Sequence, residues 1–119
     1  MKNSPEIHLF VSDPAVLSSL EFALAVEGFS PFDGNGADRD ASAAAAVVID
    51  ASSFAEGVSI SSRLRRSGCG APAILLATNP TRQIRARAAN EGILIVEKPL
   101  LGDELSSALF ATLNLEKAA

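Results

Sequence analysis

The sequence has 119 residues, 48% of them hydrophobic and 20% charged, which excludes a disordered chain and fits one globular domain over residues 1–119. No apolar run approaches the roughly 20 residues that a membrane-spanning helix needs, so no membrane partner is expected. The net charge of −4 argues against direct nucleic-acid binding, because affinity for phosphate comes from clustered positive charge.

The chain opens with a predicted strand over residues 7–11 and a helix that follows it directly. Asp13 and Pro14 form a helix-start signal, because an aspartate side chain caps the first turn and proline needs no N–H at the first helical position. Leucines then recur at helical spacing as far as Gly28, which indicates the end of the helix.

The next segment contains a predicted edge strand, a weak helix and a central strand. Residues 30–33 favour an edge strand, because a proline lies within them. Residues 37–44 predict a short, loosely anchored helix, since they contain almost no large apolar side chain. The apolar run over residues 45–49 predicts a strand buried on both faces, and it leads straight into Asp50. Asp50 either caps the next helix or acts chemically at the end of its strand.

The second half of the chain alternates helices with strands. We predict helices over residues 54–67, 81–90 and 102–115, and strands over residues 73–77 and 93–96. The arginines of the first of these helices are interpreted as a solvated face, because no aromatic residue is interleaved with them. Strand and helix thus alternate five times, which predicts an α/β fold with a single doubly wound, five-stranded parallel sheet and helices on both faces.

Histidine and cysteine occur once each, as His8 and Cys69. A lone histidine within a strand has no partner for a metal site or a catalytic triad, so we interpret it as a packed or edge residue. The single cysteine excludes an internal disulfide and fits a reducing compartment. The N-terminus lacks the apolar region and cleavage site of a secretory signal, so a cytoplasmic protein is expected.

Four polar residues follow the ends of four predicted strands: Asp13, Asp50, Thr78 and Lys98. The carboxyl ends of parallel strands meet at one edge of the sheet, so these side chains are expected to converge. Two carboxylates and a nearby carbonyl suit a hard cation such as Mg²⁺. A carboxylate can also attack phosphorus to form an aspartyl phosphate, whose charge a metal, a hydroxyl and an ammonium would neutralise.

Read in this order, the residues resemble the receiver domain of bacterial two-component response regulators, over about residues 6–115. The most specific segments are VVID with Asp50, LLAT with Thr78, and EKP with Lys98 and Pro99. The resemblance implies a flavodoxin-like sheet of order 2-1-3-4-5. It also implies that the protein accepts phosphate on its own aspartate and is not a turnover enzyme on an external substrate.

The resemblance implies a role for each site residue. Asp50 would accept phosphate from a sensor histidine kinase or a phosphotransfer protein. Mg²⁺ would be held by Asp13, by Asp50 and by the backbone carbonyl of Ser52. The hydroxyl of Thr78 and the ammonium of Lys98 would contact the phosphoryl group. The bond that precedes Pro99 is expected to be cis, which aims the lysine into the site.

Three positions depart from the family pattern. Ser12 stands where receivers usually carry the first of two acids, so weaker Mg²⁺ binding is expected. Ile95 replaces the usual switch aromatic, which predicts a muted conformational change borne mainly by residues 78–82. Asn79 replaces a small residue, and we expect it to narrow the entrance to the site. The helix over residues 37–44 is also shorter than is usual in the family.

Three classes of function are left open by the sequence. The first is a working receiver, whose phosphorylation switches the binding of partners. The second is a degenerate pseudo-receiver that binds other proteins independently of phosphorylation. The third is an unrelated α/β domain that binds a nucleotide or a flavin, which is disfavoured because SDPAVL stands where a glycine-rich phosphate loop would.

A weak homodimer is expected through the face made by the fourth helix (81–90), the fifth strand and the fifth helix (102–115). The charged residues that would meet across a two-fold axis are Arg82, Arg85 and Arg87 on one side, and Asp103 and Glu104 on the other. Exposed ion pairs are weak, so this dimer would be salt-sensitive. Residues 1–60 carry a net charge of −7 and residues 61–119 one of +3, which predicts a polar site in the first half and basic faces for a partner in the second.

Overall fold

The computed structural model describes residues 4–35, 43–51, 53–98, 100 and 104–113. Its strands are β1 (Glu6–Val11), β2 (Ser30–Asp33), β3 (Ala46–Asp50), β4 (Ala73–Thr78) and β5 (Ile93–Lys98). Each lies within two residues of its predicted bounds. β4 and β5 extend beyond the apolar runs and include Thr78 and Lys98 themselves. The strands therefore hold these two polar residues directly.

Four helices lie within the described part of the chain. They are α1 (Pro14–Val26), α2 (Phe54–Arg66), α3 (Arg82–Asn90) and α4 (Glu104–Thr112). The first three begin at side-chain caps, in which Asp13, Ser53 and Thr81 accept hydrogen bonds from backbone N–H groups two or three residues further on. Gly28, Gly68 and Gly92 take positive φ angles after the ends of these helices.

All five strands are parallel and lie in the order β2-β1-β3-β4-β5, which confirms the predicted flavodoxin-like topology. The predicted helix over residues 37–44 falls largely on residues 36–42, which lie outside the described part, and residues 43–45 lead into β3 without α-helix. No described helix is both long and apolar enough to cross a membrane.

The core has two layers, one on each face of the sheet. Successive residues of a strand point to opposite faces, so Leu9 belongs to the core layer that contains α1 and α4, while Phe10 belongs to the layer that contains α2 and α3. On the first face, Leu24 of α1 and Leu109 of α4 are almost fully buried. Burial on both sides explains why the strands are continuous apolar runs rather than alternating ones.

A glycine brings α2 unusually close to the sheet. Gly57 lies in the first turns of α2, where an added Cβ would come within 2.7 Å of the Cδ1 atom of Leu75. A larger residue would push the start of this helix away from β4. Gly57 therefore fixes the position of the helix that begins next to Asp50.

The single histidine and the single cysteine are both packed inside the protein. His8 is 1% exposed, and its Nε2 atom lies 3.1 Å from Oε1 of Glu6. Its ring also makes a T-shaped contact with Phe32, with 5.9 Å between the ring centroids. Cys69 is a free, buried thiol. These positions confirm that His8 is a packed residue and agree with a structural interpretation of Cys69.

Candidate functional site

The strand register brings three polar residues to one edge of the sheet. Val11 pairs with Asp50 across β1 and β3, and Thr78 pairs with Lys98 across β4 and β5. Asp50 also pairs with Leu76, two residues before the end of β4. The backbone of Asp50 therefore lies two residues lower along the sheet than that of Thr78 and Lys98, and all three residues lie at the same edge.

An ion pair joins β3 and β5, the strands on either side of β4. The Nζ atom of Lys98 lies 2.8 Å from Oδ1 of Asp50, and the two side chains are 32% and 15% exposed. Two strand spacings separate β3 from β5, so the lysine reaches about 10 Å across the end of β4. Charge-assisted hydrogen bonds of this length are strong, and partial burial reduces their screening by salt. The lysine thus holds one carboxylate oxygen, while the other makes no hydrogen bond to a described residue.

Asp13 caps α1. Its Oδ1 atom accepts a hydrogen bond from the backbone N–H of Ala15 at 2.9 Å and a longer one from Val16 at 3.5 Å. The residue is exposed and lies two positions beyond Val11, the partner of Asp50 in the ladder. The capping function predicted for Asp13 is confirmed, and its position at the edge of the sheet leaves its role as a metal ligand a prediction.

The donor set fits a weak, open site for Mg²⁺. This ion usually keeps several waters and takes only one or two protein carboxylates together with phosphate oxygens. Asp13 and Asp50 would supply such carboxylates, and Ser12 adds an exposed hydroxyl but no charge. Within the described ranges no three His, Cys, Asp or Glu side chains gather into a metal-binding group. The implied ion would therefore rest on two acids at most in this part of the chain.

Three clefts meet at the ion pair. A largely apolar groove of about 550 Å³ runs from Asp50 and Lys98 between α1 and α4. A cavity of about 340 Å³ lies on the opposite side, and Thr78 and Lys98 are among the residues that line it. A third cleft, of about 520 Å³, joins Asp50 to Ser12 and to the exposed face of α2. Asp50 is thus reached from two sides, one of which does not involve the lysine.

Asn79 has a visible role in the backbone. It takes a φ angle of 50°, the left-handed conformation that asparagine adopts more readily than most residues, and it turns the chain from β4 toward the cap of α3. Asn79 is an exposed residue. The expectation that Asn79 narrows the entrance stays a prediction.

Near Thr78, an aromatic side chain comes from α2 rather than from β5. Ile95 is half-buried in the core between the sheet and α2 and α3. Phe54, the first residue of α2, lines the same cavity as Thr78, and the guanidinium of Arg87 lies 5.2 Å from the centre of its ring. Sequence reasoning missed Phe54. The signal available in the sequence was the position of Phe54, at the start of the helix that follows Asp50.

The predicted basic patch of the dimer face is divided in the structure. Arg85 forms an exposed ion pair with Glu97 of β5 at 3.2 Å. Arg87 turns instead toward α2 and stacks on Phe54. These arginines share a helix but not a face, because consecutive helical positions differ by about 100°. The predicted sites at Ser52, Pro99 and Asp103 fall outside the described residues.

Comparisons with solved structures identify the fold. The chain is similar to a response regulator receiver protein from Burkholderia phymatum, with a TM-score of 0.74, 18% identity, and coverage of 98% of this chain and 100% of that one. It is also similar to the chemotaxis protein CheY4 of Vibrio cholerae, with a TM-score of 0.70, 12% identity, and coverage of 92% and 99%. A CheY-like response regulator from Mesorhizobium loti gives a TM-score of 0.65 at 20% identity, over 92% and 99% of the two chains. No protein-family model and no curated protein matches the sequence. The fold is that of receiver proteins.

Proposed function

We propose that this protein is a receiver that accepts a phosphoryl group on Asp50 and thereby changes its binding to partner proteins. The observation that carries the proposal is the Lys98–Asp50 ion pair of 2.8 Å, formed across the end of β4 beside Thr78. A carboxylate at the end of a central strand, with an ammonium and a hydroxyl beside it, is a group poised to attack phosphorus.

In this proposal the chain's own residues perform a simple displacement. A carboxylate oxygen of Asp50 forms a bond to phosphorus, and the bond from phosphorus to the donor nitrogen or oxygen breaks. Lys98 neutralises negative charge on the phosphoryl oxygens, and the hydroxyl of Thr78 donates a hydrogen bond to one of them. Mg²⁺ held by Asp13 and Asp50 would add further charge neutralisation when bound.

The donor in this proposal is a phosphohistidine on a histidine kinase or a phosphotransfer protein, and both partners meet in the cytoplasm. The support is the fold, which the chain has in common with a response regulator receiver protein and a chemotaxis protein. The transfer ends on the receiver's own side chain, so the protein acts as an acceptor and not as an enzyme that turns over a substrate.

A second candidate function is a pseudo-receiver that binds partners without phosphorylation. One observation favours it: Asp13, the acid that directly follows Ser12, uses an oxygen to cap α1. With Ser12 uncharged, the site then has little spare negative charge for a divalent cation. This function keeps the same fold and surfaces but removes the chemistry at Asp50.

Phosphorylation by acetyl phosphate in the presence of Mg²⁺ tests these two functions. We expect intact-mass spectrometry to detect one added phosphoryl group on the wild-type protein. The Asp50→Asn variant should gain none, because an amide is not a competent nucleophile. The substitution is nearly isosteric, so circular dichroism should show the same fold. If the two proteins behave identically at saturating Mg²⁺, the proposal that Asp50 accepts phosphate is wrong.

A further inference from the structure

Positive charge is concentrated on one side of the sheet. The helices α2 and α3 and the segment between them, residues 54–92, contain six arginines, no lysine and two glutamates. This segment therefore carries a net charge of +4 on a chain whose net charge is −4, so the remaining residues carry −8. α2 and α3 cover the same face of the sheet, as their shared core cluster shows.

Two of the arginines are held in place between the helices by contacts that leave their charge uncompensated. Arg65 of α2 donates a hydrogen bond of 2.6 Å to the backbone carbonyl of Glu91, the cap of α3. Arg87 of α3 lies over the ring of Phe54, at the start of α2. Neither forms an ion pair with a described residue. Both contacts restrict the side chains, which lowers the entropy cost of binding an anion.

Two more arginines are exposed on the same two helices. Arg66 is the last residue of α2 and Arg82 the first of α3, and both are exposed. Neither makes a hydrogen bond or ion pair with another residue in the described ranges. The four residues Arg65, Arg66, Arg82 and Arg87 are called the arginine seam below. The distance along α3 from Arg82 to Glu91, whose carbonyl accepts the hydrogen bond from Arg65, is about 14 Å at a rise of 1.5 Å per residue.

The remaining charges near the seam do not neutralise it. Arg85 lies on the flank of α3 opposite to Arg87 and three positions after Arg82, and its charge is paired with that of Glu97. Glu56 and Arg63 line the cleft that leads to Asp50, on the other side of α2. Glu91 contributes its backbone carbonyl to Arg65, and no ion pair joins their side chains.

We propose that the arginine seam is a docking surface for an acidic polypeptide segment of a partner protein. Guanidinium groups present planar pairs of N–H donors that match carboxylates, and arginine is better suited than lysine to this recognition. The chain uses arginine at every cationic position of these helices. A short run of Asp and Glu side chains complements a positive strip of this length. The proposal does not depend on phosphorylation of Asp50.

The charge of the rest of the molecule favours an acidic peptide over nucleic acid. A nucleic acid carries its charges along a long backbone, and its affinity depends on neutralising many phosphates at once. Beyond the seam such a polymer would meet a protein surface with a net charge of −8. A segment about as long as the seam avoids that repulsion.

Fluorescence anisotropy with labelled oligo-glutamate of about ten residues, enough to follow the seam, tests this surface. The variant is Arg66→Gln/Arg82→Gln, which removes two cations without breaking a described contact. The matched control is Ser18→Glu/Ser107→Glu, which lowers the net charge equally on exposed positions of α1 and α4. A single-stranded oligonucleotide of equal length is the competing probe.

We expect wild-type protein to bind oligo-glutamate in a salt-dependent manner, and the arginine variant to bind about fivefold more weakly, as loss of two exposed ion pairs implies. The control variant should bind like wild type. An equal loss in the control would mean that only net charge matters and would overturn the proposal. Tighter binding of the oligonucleotide, or no binding of oligo-glutamate at low ionic strength, would also overturn it.

Discussion

At the scale of single residues, the affinity of the site for a divalent cation depends on the small number of carboxylates in it. Asp50 is bound to Lys98 and Asp13 caps α1, so each acid already satisfies another group. Ser12, which directly follows the β1 residue paired with Asp50, is exposed and uncharged. The affinity of the site for a divalent cation should therefore be limited by charge rather than by space.

We predict that Ser12→Asp tightens Mg²⁺ binding. A carboxylate about 4 Å from a divalent cation gains about 2 kcal/mol in a water-like medium, and desolvation offsets part of this, which leaves roughly a tenfold gain in affinity. The same change should lower the free energy of unfolding of the metal-free protein, because three acids then share one edge. Titration followed by chemical shifts measures the affinity, and urea unfolding measures the stability. Ser12→Asn, which adds size without charge, is the control. Equal or weaker Mg²⁺ affinity in the aspartate variant would contradict this role of position 12.

At the scale of elements, β5 and the loop after β4 differ in their freedom to move. Ile95 is β-branched, has few rotamers and is half-buried in the core. The loop over residues 78–82 contains the left-handed Asn79 and the exposed Thr81 that caps α3. An inward movement of Thr78 toward a phosphoryl group would therefore displace the loop more easily than the strand.

We predict that beryllofluoride with Mg²⁺ changes the amide chemical shifts of residues 78–82 more than that of Ile95. The side chain of Ile95 offers no ring to swing and no hydroxyl to engage. Ile95→Phe supplies a ring at this position and should extend the response into β5. The Asp50→Asn protein, measured under the same conditions, gives the background. A change in the amide chemical shift of Ile95 as large as that of Asn79 would contradict the prediction, because it would show that β5 takes part fully in the conformational change.

The elements were predictable from the sequence because local signals agree with the tertiary structure. Buried strands gave continuous apolar runs, and Asp13 with Pro14 marked the start of α1. The orientation of side chains between helices was not predictable in the same way. Arg85 and Arg87 looked like one patch, yet one turns to Glu97 and the other to Phe54, because the packing of neighbouring elements decides which flank of α3 each meets.

At the scale of the whole molecule, charge divides the surface. The arginine seam spans α2 and α3, and the predicted dimer face lies around β5, between α3 and α4. Arg82 borders both, because it lies three positions before Arg85, which pairs with Glu97 of β5. Arg85 is half-exposed and already paired with Glu97 on that second face. Of the charged residues predicted for this face, Arg82 and Glu104 lie in the described part of the chain and are exposed, and their opposite charges would attract across a two-fold axis. One exposed pair, repeated twice, gives a weak and salt-sensitive association at most.

We predict a loose homodimer at low ionic strength that dissociates as salt is added, as measured by sedimentation velocity with and without beryllofluoride. Arg82→Glu should shift the population to monomer, because it places like charges opposite each other. The double variant Arg82→Glu/Glu104→Arg should recover the dimer, since it restores attraction with the signs reversed and leaves the net charge of wild type. A monomer under every condition would remove the dimer altogether. Failure of the double variant to recover association would place any dimer on a different face, because the exchange preserves charge complementarity only if these two residues meet.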